Sequence, residues 1–213
     1  MNNNEKVFLC VLAGATVVGI GVLAYSKRNR VRSVGADTSV TPVVINKSNV
    51  SASVADDKRS LLFVGDSLTS GYGLGDKSFV DKIKNDHPEV DVRKVAVMGK
   101  QTGWMLGKLK DELSSGGKYD TVIIWGGIND IYATNSISEA KNNLQRMFEL
   151  CRKYGAKVVC LNVIPTGGYK PSTKEKKRLT EELNSWIKAN RLVDIIYDVN
   201  SVVGDGGVFV KSV

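Results

Sequence analysis

The stretch FVGDSLTSGYGLG, residues 63–75, places one serine where nucleophilic chemistry is typical. An apolar run leads into it, small residues fill it, and Asp66 stands beside Ser67. This pattern predicts a buried strand that ends in a tight turn, with Ser67 presented at the turn. A serine hydroxyl is a weak nucleophile until a base takes its proton, so a base is the second requirement.

The usual base for such a serine is histidine, and the chain contains one, His87. His87 lies in NDHPEV, a turn-like segment that precedes the second predicted strand. In a parallel sheet this position falls at the edge opposite Ser67, which predicts a surface turn residue. Asp66 and Asp130 are near the predicted site in sequence, and aspartates in such loops more often fix the backbone than act as bases.

Two further loops carry groups that acyl transfer could use. The segment VMGKQTG contains Gly99 and Thr102, and WGGIND contains Asn129 and Asp130. Each residue alone has a structural explanation, as a turn glycine, a turn asparagine or a helix cap. Together with Ser67 they predict a hydroxyl, a backbone N–H and a side-chain amide at one sheet edge. That set supplies a nucleophile and preorganised donors for an oxyanion.

Short β-branched runs alternate with helical stretches from residue 59 onward. This alternation predicts an α/β fold with a parallel five-stranded sheet and helices on both faces, whose sites lie at the carboxyl ends of strands. Helix starts are expected at two capping boxes, Ser136 with Glu139 and Ser172 with Glu175. The predicted strands are Leu61–Val64, Val90–Val97, Thr121–Trp125, Lys157–Ile164 and Val193–Val199. The predicted helices are Phe79–Asn85, Trp104–Ser114, Ser136–Lys153 and Thr173–Asn190.

The GDSL motif at 65–68, a glycine in the next strand-end loop and GIND at 127–130 together resemble the SGNH (GDSL-type) hydrolase family. The resemblance covers residues 59–213 and implies a flavodoxin-like three-layer α/β/α sandwich. It implies Ser67 as the nucleophile, with an oxyanion hole made by the N–H groups of Ser67 and Gly99 and the side-chain amide of Asn129. The implied substrates are esters or thioesters, including acylated lipids and glycans, and neither a metal nor a cofactor is expected.

The chain departs from the family pattern at the fourth motif, D-x-x-H. The nearest candidate is Asp205-Gly-Gly-Val208, with valine in place of histidine, and Asp205 reads as a turn aspartate. One explanation is an esterase whose base comes from beyond Val213 or from a partner chain. The other is a catalytically inactive structural protein in a membrane-associated assembly, such as a minor capsid component of a virus particle.

Residues 7–25 form a 19-residue segment without a charge. As a helix it would be roughly 28 Å long, close to the thickness of a bilayer core, which predicts a single transmembrane helix. The competing reading is a secretory signal peptide, but the basic cluster KRNRVR follows the apolar run instead of preceding it. That cluster places the following domain on the cytoplasmic side or inside an enveloped particle. The predicted organisation is an anchor with its basic flank at 1–32, a Ser/Thr-rich linker at 33–58 and the hydrolase-like domain at 59–213.

The composition is that of a folded protein, with 42% hydrophobic and 24% charged residues and a net charge of +8. A nucleic-acid-binding protein would concentrate its basic residues in a stripe with interleaved aromatics, and no such stripe is evident. The three cysteines, Cys10, Cys151 and Cys160, lack metal-binding spacing and fit free thiols. We therefore expect an acyl substrate, a bilayer and protein partners of an assembly, but no nucleic acid.

Overall fold

The computed structural model describes residues 59–73, 77–164 and 173–199. The strands are β1 (Arg59–Gly65), β2 (Val90–Ala96), β3 (Thr121–Trp125), β4 (Lys157–Leu161) and β5 (Ile195–Tyr197). The helices are α1 (Ser67–Ser70), α2 (Phe79–Asp86), α3 (Thr102–Ser114), α4 (Ile128–Thr134), α5 (Ser138–Lys153) and α6 (Lys174–Ala189). The predicted anchor, the linker and the Asp205–Val208 segment lie outside the described residues. In the part of the chain that the structure describes, no helix has the length and apolar character needed to span a membrane.

The five strands form one parallel sheet in the order β2-β1-β3-β4-β5. At the carboxyl end of β1, Gly65 is level with Ala96 of β2 and Trp125 of β3. The loops that follow these three strands therefore start side by side. The predicted parallel five-stranded sheet is confirmed.

The sheet is buried on both faces, which explains its continuous apolar runs. Successive side chains of β1 alternate between the faces: Leu62 and Val64 enter one core, whereas Leu61 and Phe63 enter the other. Helices α3, α4, α5 and α6 contribute to the first core, and α2 contributes Phe79, Val80 and Ile83 to the second. Helices therefore cover both faces, as the predicted three-layer sandwich requires.

An aromatic group fixes α2 on the second face. The Phe79 ring packs edge-on against Phe63 and Trp125, with ring centroids 5.9 Å apart in both pairs. The indole N–H of Trp125 donates to the carbonyl of Asn162 at 3.1 Å, so this buried donor is satisfied. These contacts tie the ends of β1 and β3 to the same helix.

Three predicted strands are longer than the observed ones. The strand predicted to reach Val97 ends at Ala96, and the one predicted to reach Ile164 ends at Leu161. The last strand, predicted over Val193–Val199, covers only Ile195–Tyr197. Residues 162–164 are buried, yet Val163 bonds the side chain of Asn184 through its N–H and its carbonyl. Apolar character therefore marks burial, and burial extends past the hydrogen-bonded ladder.

The predicted capping boxes do not start the helices. Helix α5 begins after Ile137, which is buried, and Ser136 Oγ accepts from the N–H of Ser138 at 3.2 Å. The N-cap of α6 is Thr173, whose side chain accepts from the N–H of Lys176, while Ser172 lies outside the described residues. Burial of Ile137 moves the first helix start two residues past the position that the local signal predicts.

Candidate active site

Ser67 is the first residue of a four-residue helix, α1, directly beyond the carboxyl end of β1. Asp66 caps this helix, because its Oδ1 accepts from the N–H of Leu68 at 3.0 Å. The carbonyl of Ser67 accepts from the N–H groups of Gly71 and Tyr72, both at 3.1 Å. The side chain of Ser67 is partly buried. The predicted turn after the strand is present, and it closes as a single helical turn.

Gly65 allows this turn because there is no room for a side chain at that position. A Cβ placed on Gly65 would lie 2.6 Å from Cβ of Thr69 and 3.0 Å from the carbonyl oxygen of Trp125. Real Cβ atoms do not come that close to such neighbours. The close approach of α1 to the ends of β1 and β3 therefore depends on glycine.

The second loop turns sharply at Gly99. The N–H of Lys100 donates to the carbonyl of Val97 at 3.4 Å, and Gly99 has φ +74°. A positive φ at the third position is the mark of a type II turn and favours glycine there. The turn brings Gly99 to the carboxyl end of β2, next to the β1 loop that carries Ser67.

The third loop delivers Asn129 through α4, which begins after Gly127. The side-chain nitrogen of Asn129 donates to the carbonyl of Lys100 at 3.0 Å and to Oδ2 of Asp66 at 3.2 Å. One amide group thus contacts both the loop of Gly99 and the turn of Ser67. The structure places all three predicted site residues at one edge of the sheet, although their catalytic roles stay predictions.

Asp130 fixes the start of α3. Its carboxylate accepts from the N–H of Thr102 at 3.1 Å and from the hydroxyl of Thr102 at 2.6 Å. Asn143 of α5 donates to the same hydroxyl at 3.2 Å. Burial raises the pKa of Asp130, and the two bonds from Thr102 act in the opposite direction. The prediction that Asp66 and Asp130 hold the backbone is confirmed, since each accepts a backbone N–H.

Asp66 is the most perturbed acid at this edge. Its side chain is 1% exposed. Burial raises its pKa to about 7, the hydrogen bond from Leu68 lowers it, and the nearby charge of Asp130 raises it. In the structure its two carboxyl oxygens accept from Leu68 and Asn129, and with a pKa of about 7 its charge changes near neutral pH.

His87 lies at the other end of the sheet. It follows α2 and precedes Val90, which pairs with Arg59 at the amino ends of β1 and β2. Its Nδ1 is 3.2 Å from a carboxylate oxygen of Glu89. The prediction for His87 is confirmed, and the chain's one histidine cannot act on Ser67 from this position.

Exposed apolar side chains flank the site, and none of the sequence motifs indicated them. Among the described residues, four large hydrophobic side chains are well exposed, and three of them, Tyr72, Val97 and Met98, flank the loops of Ser67 and Gly99. In the sequence, Val97 and Met98 could have been recognised as part of the site because they are two apolar residues directly after the end of a strand, where the site lies.

Two lysines lie over aromatic rings of the neighbouring helices. Lys100 Nζ is 5.8 Å from the ring centroid of Trp104, and Lys176 Nζ is 4.0 Å from that of Tyr132. No group of three or more histidine, cysteine, aspartate or glutamate side chains in the described part of the chain could hold a metal ion.

Comparison with known proteins agrees with this geometry. Residues 63–200 match the model of the GDSL-like lipase/acylhydrolase family, about two thirds of the chain, and the protein belongs to this family. The predicted SGNH (GDSL-type) relationship is confirmed, and it defines the general class as a serine ester hydrolase. A search of curated protein sequences finds no match.

Solved structures share the fold. AlinE4, an SGNH-hydrolase family esterase, is 22% identical, with 70% of this chain and 80% of that chain covered and a TM-score of 0.55. A member of the lipolytic protein G-D-S-L family from Veillonella parvula is 16% identical, with 66% and 77% covered and a TM-score of 0.58. The psychrotrophic esterase EstA from Pseudoalteromonas sp., in a structure inhibited by monoethylphosphonate, is 19% identical, with 65% and 77% covered and a TM-score of 0.51.

Proposed function

We propose that the protein is a membrane-anchored serine hydrolase that cleaves carboxylic esters or thioesters through an acyl-Ser67 intermediate. One observation carries the proposal: the amide of Asn129 contacts both the turn of Ser67 and the loop of Gly99. This contact gathers a nucleophile and oxyanion donors from three separate loops, as acyl transfer requires.

In the proposed reaction, Ser67 Oγ attacks the acyl carbon and loses its proton to a base. The carbonyl π electrons move onto oxygen, and the N–H groups of Ser67 and Gly99 and the amide of Asn129 stabilise that charge. Collapse of the intermediate breaks the bond to the alcohol or thiol, which leaves with a proton. Water then attacks the acyl-Ser67 ester and releases the acid.

The base is the open part of this mechanism. Because His87 lies at the opposite edge of the sheet, a histidine that acts on Ser67 would come from outside the 213 residues, for example from a partner chain. In serine hydrolases that lose a member of the triad, the remaining groups still accelerate the reaction roughly 10³- to 10⁴-fold over water. Without a base we expect only such residual activity.

Membrane attachment is proposed on the sequence of residues 7–25 alone. Their uncharged length suits a single span, and the basic cluster that follows favours a cytoplasmic domain or one inside an enveloped particle. Carbonate extraction tests this part directly: an integral protein stays with the membrane, and release of intact protein would overturn the anchor.

The remote position of His87 favours a second candidate function. A domain with an intact Ser67 turn and its one histidine at the opposite edge of the sheet fits an inactive hydrolase fold that serves as a structural protein in a membrane-associated assembly, such as a minor capsid component of a virus particle. This candidate predicts a folded protein with an unreactive Ser67.

Labelling with a fluorophosphonate decides between the two functions, because the reagent modifies an activated serine. Ser67→Ala should abolish labelling of the native protein. Ser70→Ala is the matched control, since Ser70 is in the same short helix and bonds the Ser67 carbonyl at 3.2 Å. Labelling that depends on Ser67 alone supports the hydrolase. A folded protein that does not react overturns it and favours the structural role.

A further inference from the structure

The amide of Asn129 has both hydrogens engaged in the structure. One points to Oδ2 of Asp66 at 3.2 Å and the other to the carbonyl of Lys100 at 3.0 Å. Both partners accept hydrogen bonds here, so both select the nitrogen end of the amide and reject the oxygen end. The two ends have nearly the same shape, and only the nitrogen end can donate to an oxyanion.

We propose that Asp66 is a positioning residue whose ionised carboxylate holds Asn129 with its nitrogen toward the reacting carbonyl. This inference rests on the proposed function, because it concerns the oxyanion donor of that reaction. Asp66 touches neither the substrate nor the proton of Ser67 in this role, and it acts only through Asn129.

The engaged amide also indicates which hydrogen reaches the substrate. A charged carboxylate accepts a stronger hydrogen bond than a neutral carbonyl does. The Lys100 bond is the shorter of the two, at 3.0 against 3.2 Å, but its acceptor is neutral; in this proposal its hydrogen turns to the oxyanion while Asp66 keeps the amide in place. The developing negative charge offers a better acceptor than the Lys100 carbonyl.

The protonation site of Asp66 follows from its other contact. Oδ1 accepts from the N–H of Leu68, so a proton added to Asp66 goes to Oδ2, which faces Asn129. There the new O–H would meet an N–H, a donor against a donor, and the amide would have to rotate. Protonation therefore removes the Asp66 acceptor and leaves the Lys100 carbonyl alone to select the nitrogen end, so we expect Asn129 to be held less firmly below the pKa of Asp66, which burial raises to about 7.

The charged groups around Asp66 do not remove this dependence. Asp130 on α4 raises the pKa of Asp66 and does not lower it. The ammonium group of Lys100 on the neighbouring loop lies over the Trp104 ring, 5.8 Å from its centroid, and is not among the groups that shift the pKa of Asp66.

The first test is Asp66→Asn. The new side-chain oxygen can still cap α1 by accepting from Leu68, but the new amide opposes that of Asn129. We expect kcat for a soluble ester to fall roughly 10²- to 10³-fold, as for loss of one oxyanion donor, with KM little changed. Asp120→Asn is the matched control, because Asp120 also accepts a backbone N–H, that of Ser60 at 2.8 Å, but at the amino ends of β1 and β3, the edge opposite Ser67. An unchanged kcat in folded Asp66→Asn protein would overturn the proposal.

The second test needs no turnover, so it separates this inference from the proposed function. The side-chain amide of Asn129 is followed by ¹⁵N NMR from pH 5 to 9 and assigned by its loss in Asn129→Ala. We expect its signals to shift with a midpoint near the pKa of Asp66 and to stop shifting in Asp66→Asn. Asn184, whose amide donates to the Val163 carbonyl at 2.8 Å, is the internal control and should stay constant. An Asn129 amide that does not titrate overturns the inference, whether or not Ser67 is reactive.

Discussion

Gly65→Ala should damage both stability and reactivity, because the added methyl has no space. Its carbon would lie 2.6 Å from Thr69 Cβ and 3.0 Å from the Trp125 carbonyl oxygen, whereas carbon contacts are comfortable at about 3.5 to 4.0 Å. The turn or the end of β3 must therefore move by about 1 Å. Overpacking of this kind costs about 1 to 3 kcal/mol of unfolding free energy.

The same shift displaces Ser67 from the proposed oxyanion donors on the other two loops, Gly99 and Asn129. A misplacement of about 1 Å at a reacting centre costs roughly 10²-fold in rate, so fluorophosphonate labelling should slow by about that factor. Urea unfolding gives the change in stability. Gly107→Ala is the matched control, since Gly107 lies in α3 with nothing within 4 Å of an added Cβ. There we expect a gain of about 0.5 to 1 kcal/mol and unchanged labelling. Equal stability and labelling in Gly65→Ala and wild type would refute this account of the turn.

Three further outcomes are expected. Met98→Ser should leave the unfolding free energy within about 0.5 kcal/mol but reduce the preference for longer acyl chains in a series of p-nitrophenyl esters. The control Tyr154→Ser, at an exposed residue at the end of α5, should not change that preference. Equal chain-length profiles for the two variants would contradict a role for Met98 in acyl-chain binding. Because the pKa of Asp66 is raised, the folded state binds its proton more tightly than the unfolded chain does. The unfolding free energy should therefore fall as pH rises from about 4 to 7. In urea titrations at a series of pH values, Asp66→Asn should flatten that slope. Burial raises the pKa of Cys151 and of Cys160 to about 12, so neither thiol should react with iodoacetamide in native protein at pH 8. Peptide mass spectrometry detects the alkylated cysteines, and prompt alkylation would contradict their burial.

The stability and activity expectations for Asp66 point in opposite directions. Its ionised form is the one that orients Asn129, and ionisation is also what burial disfavours. A protein that kept Asp66 neutral would be more stable and would hold the proposed oxyanion donor, Asn129, less firmly. This conflict is typical of residues at functional sites, where local stability is given up for geometry.

The sequence was sufficient for the sheet and for the three loops, because each depends on local signals. Continuous apolar runs mark strands buried on both faces, and parallel order places their carboxyl ends together. Ser67, Gly99 and Asn129 could therefore be assigned to one edge before any contact was known. The position of His87 at the opposite edge followed from the same reasoning.

The contacts of Asn129 could not be predicted, because they join residues that are distant in sequence. Asp66 is 63 residues away and Lys100 is 29 residues away. Whether an amide meets a carboxylate or a carbonyl depends on loop paths that no periodicity encodes. The start of α5 was misplaced for a similar reason, since burial of Ile137 against the core outweighs the local capping signal.

The strand order also sets how the domain can assemble while it is being synthesised. Each strand after β1 pairs with a strand that already exists: β2 and β3 with β1, β4 with β3, and β5 with β4. At 5 to 20 residues per second, the ribosome needs roughly 2 to 7 s between the start of β3 and the start of β4. The open edge of β3 is exposed for that interval only. At the outer edge of the described sheet, on β2, Asp91 and Arg93 are exposed, and Arg93 is paired with Glu112 of α3. Charged side chains on an edge strand discourage a second nascent chain from adding to the sheet.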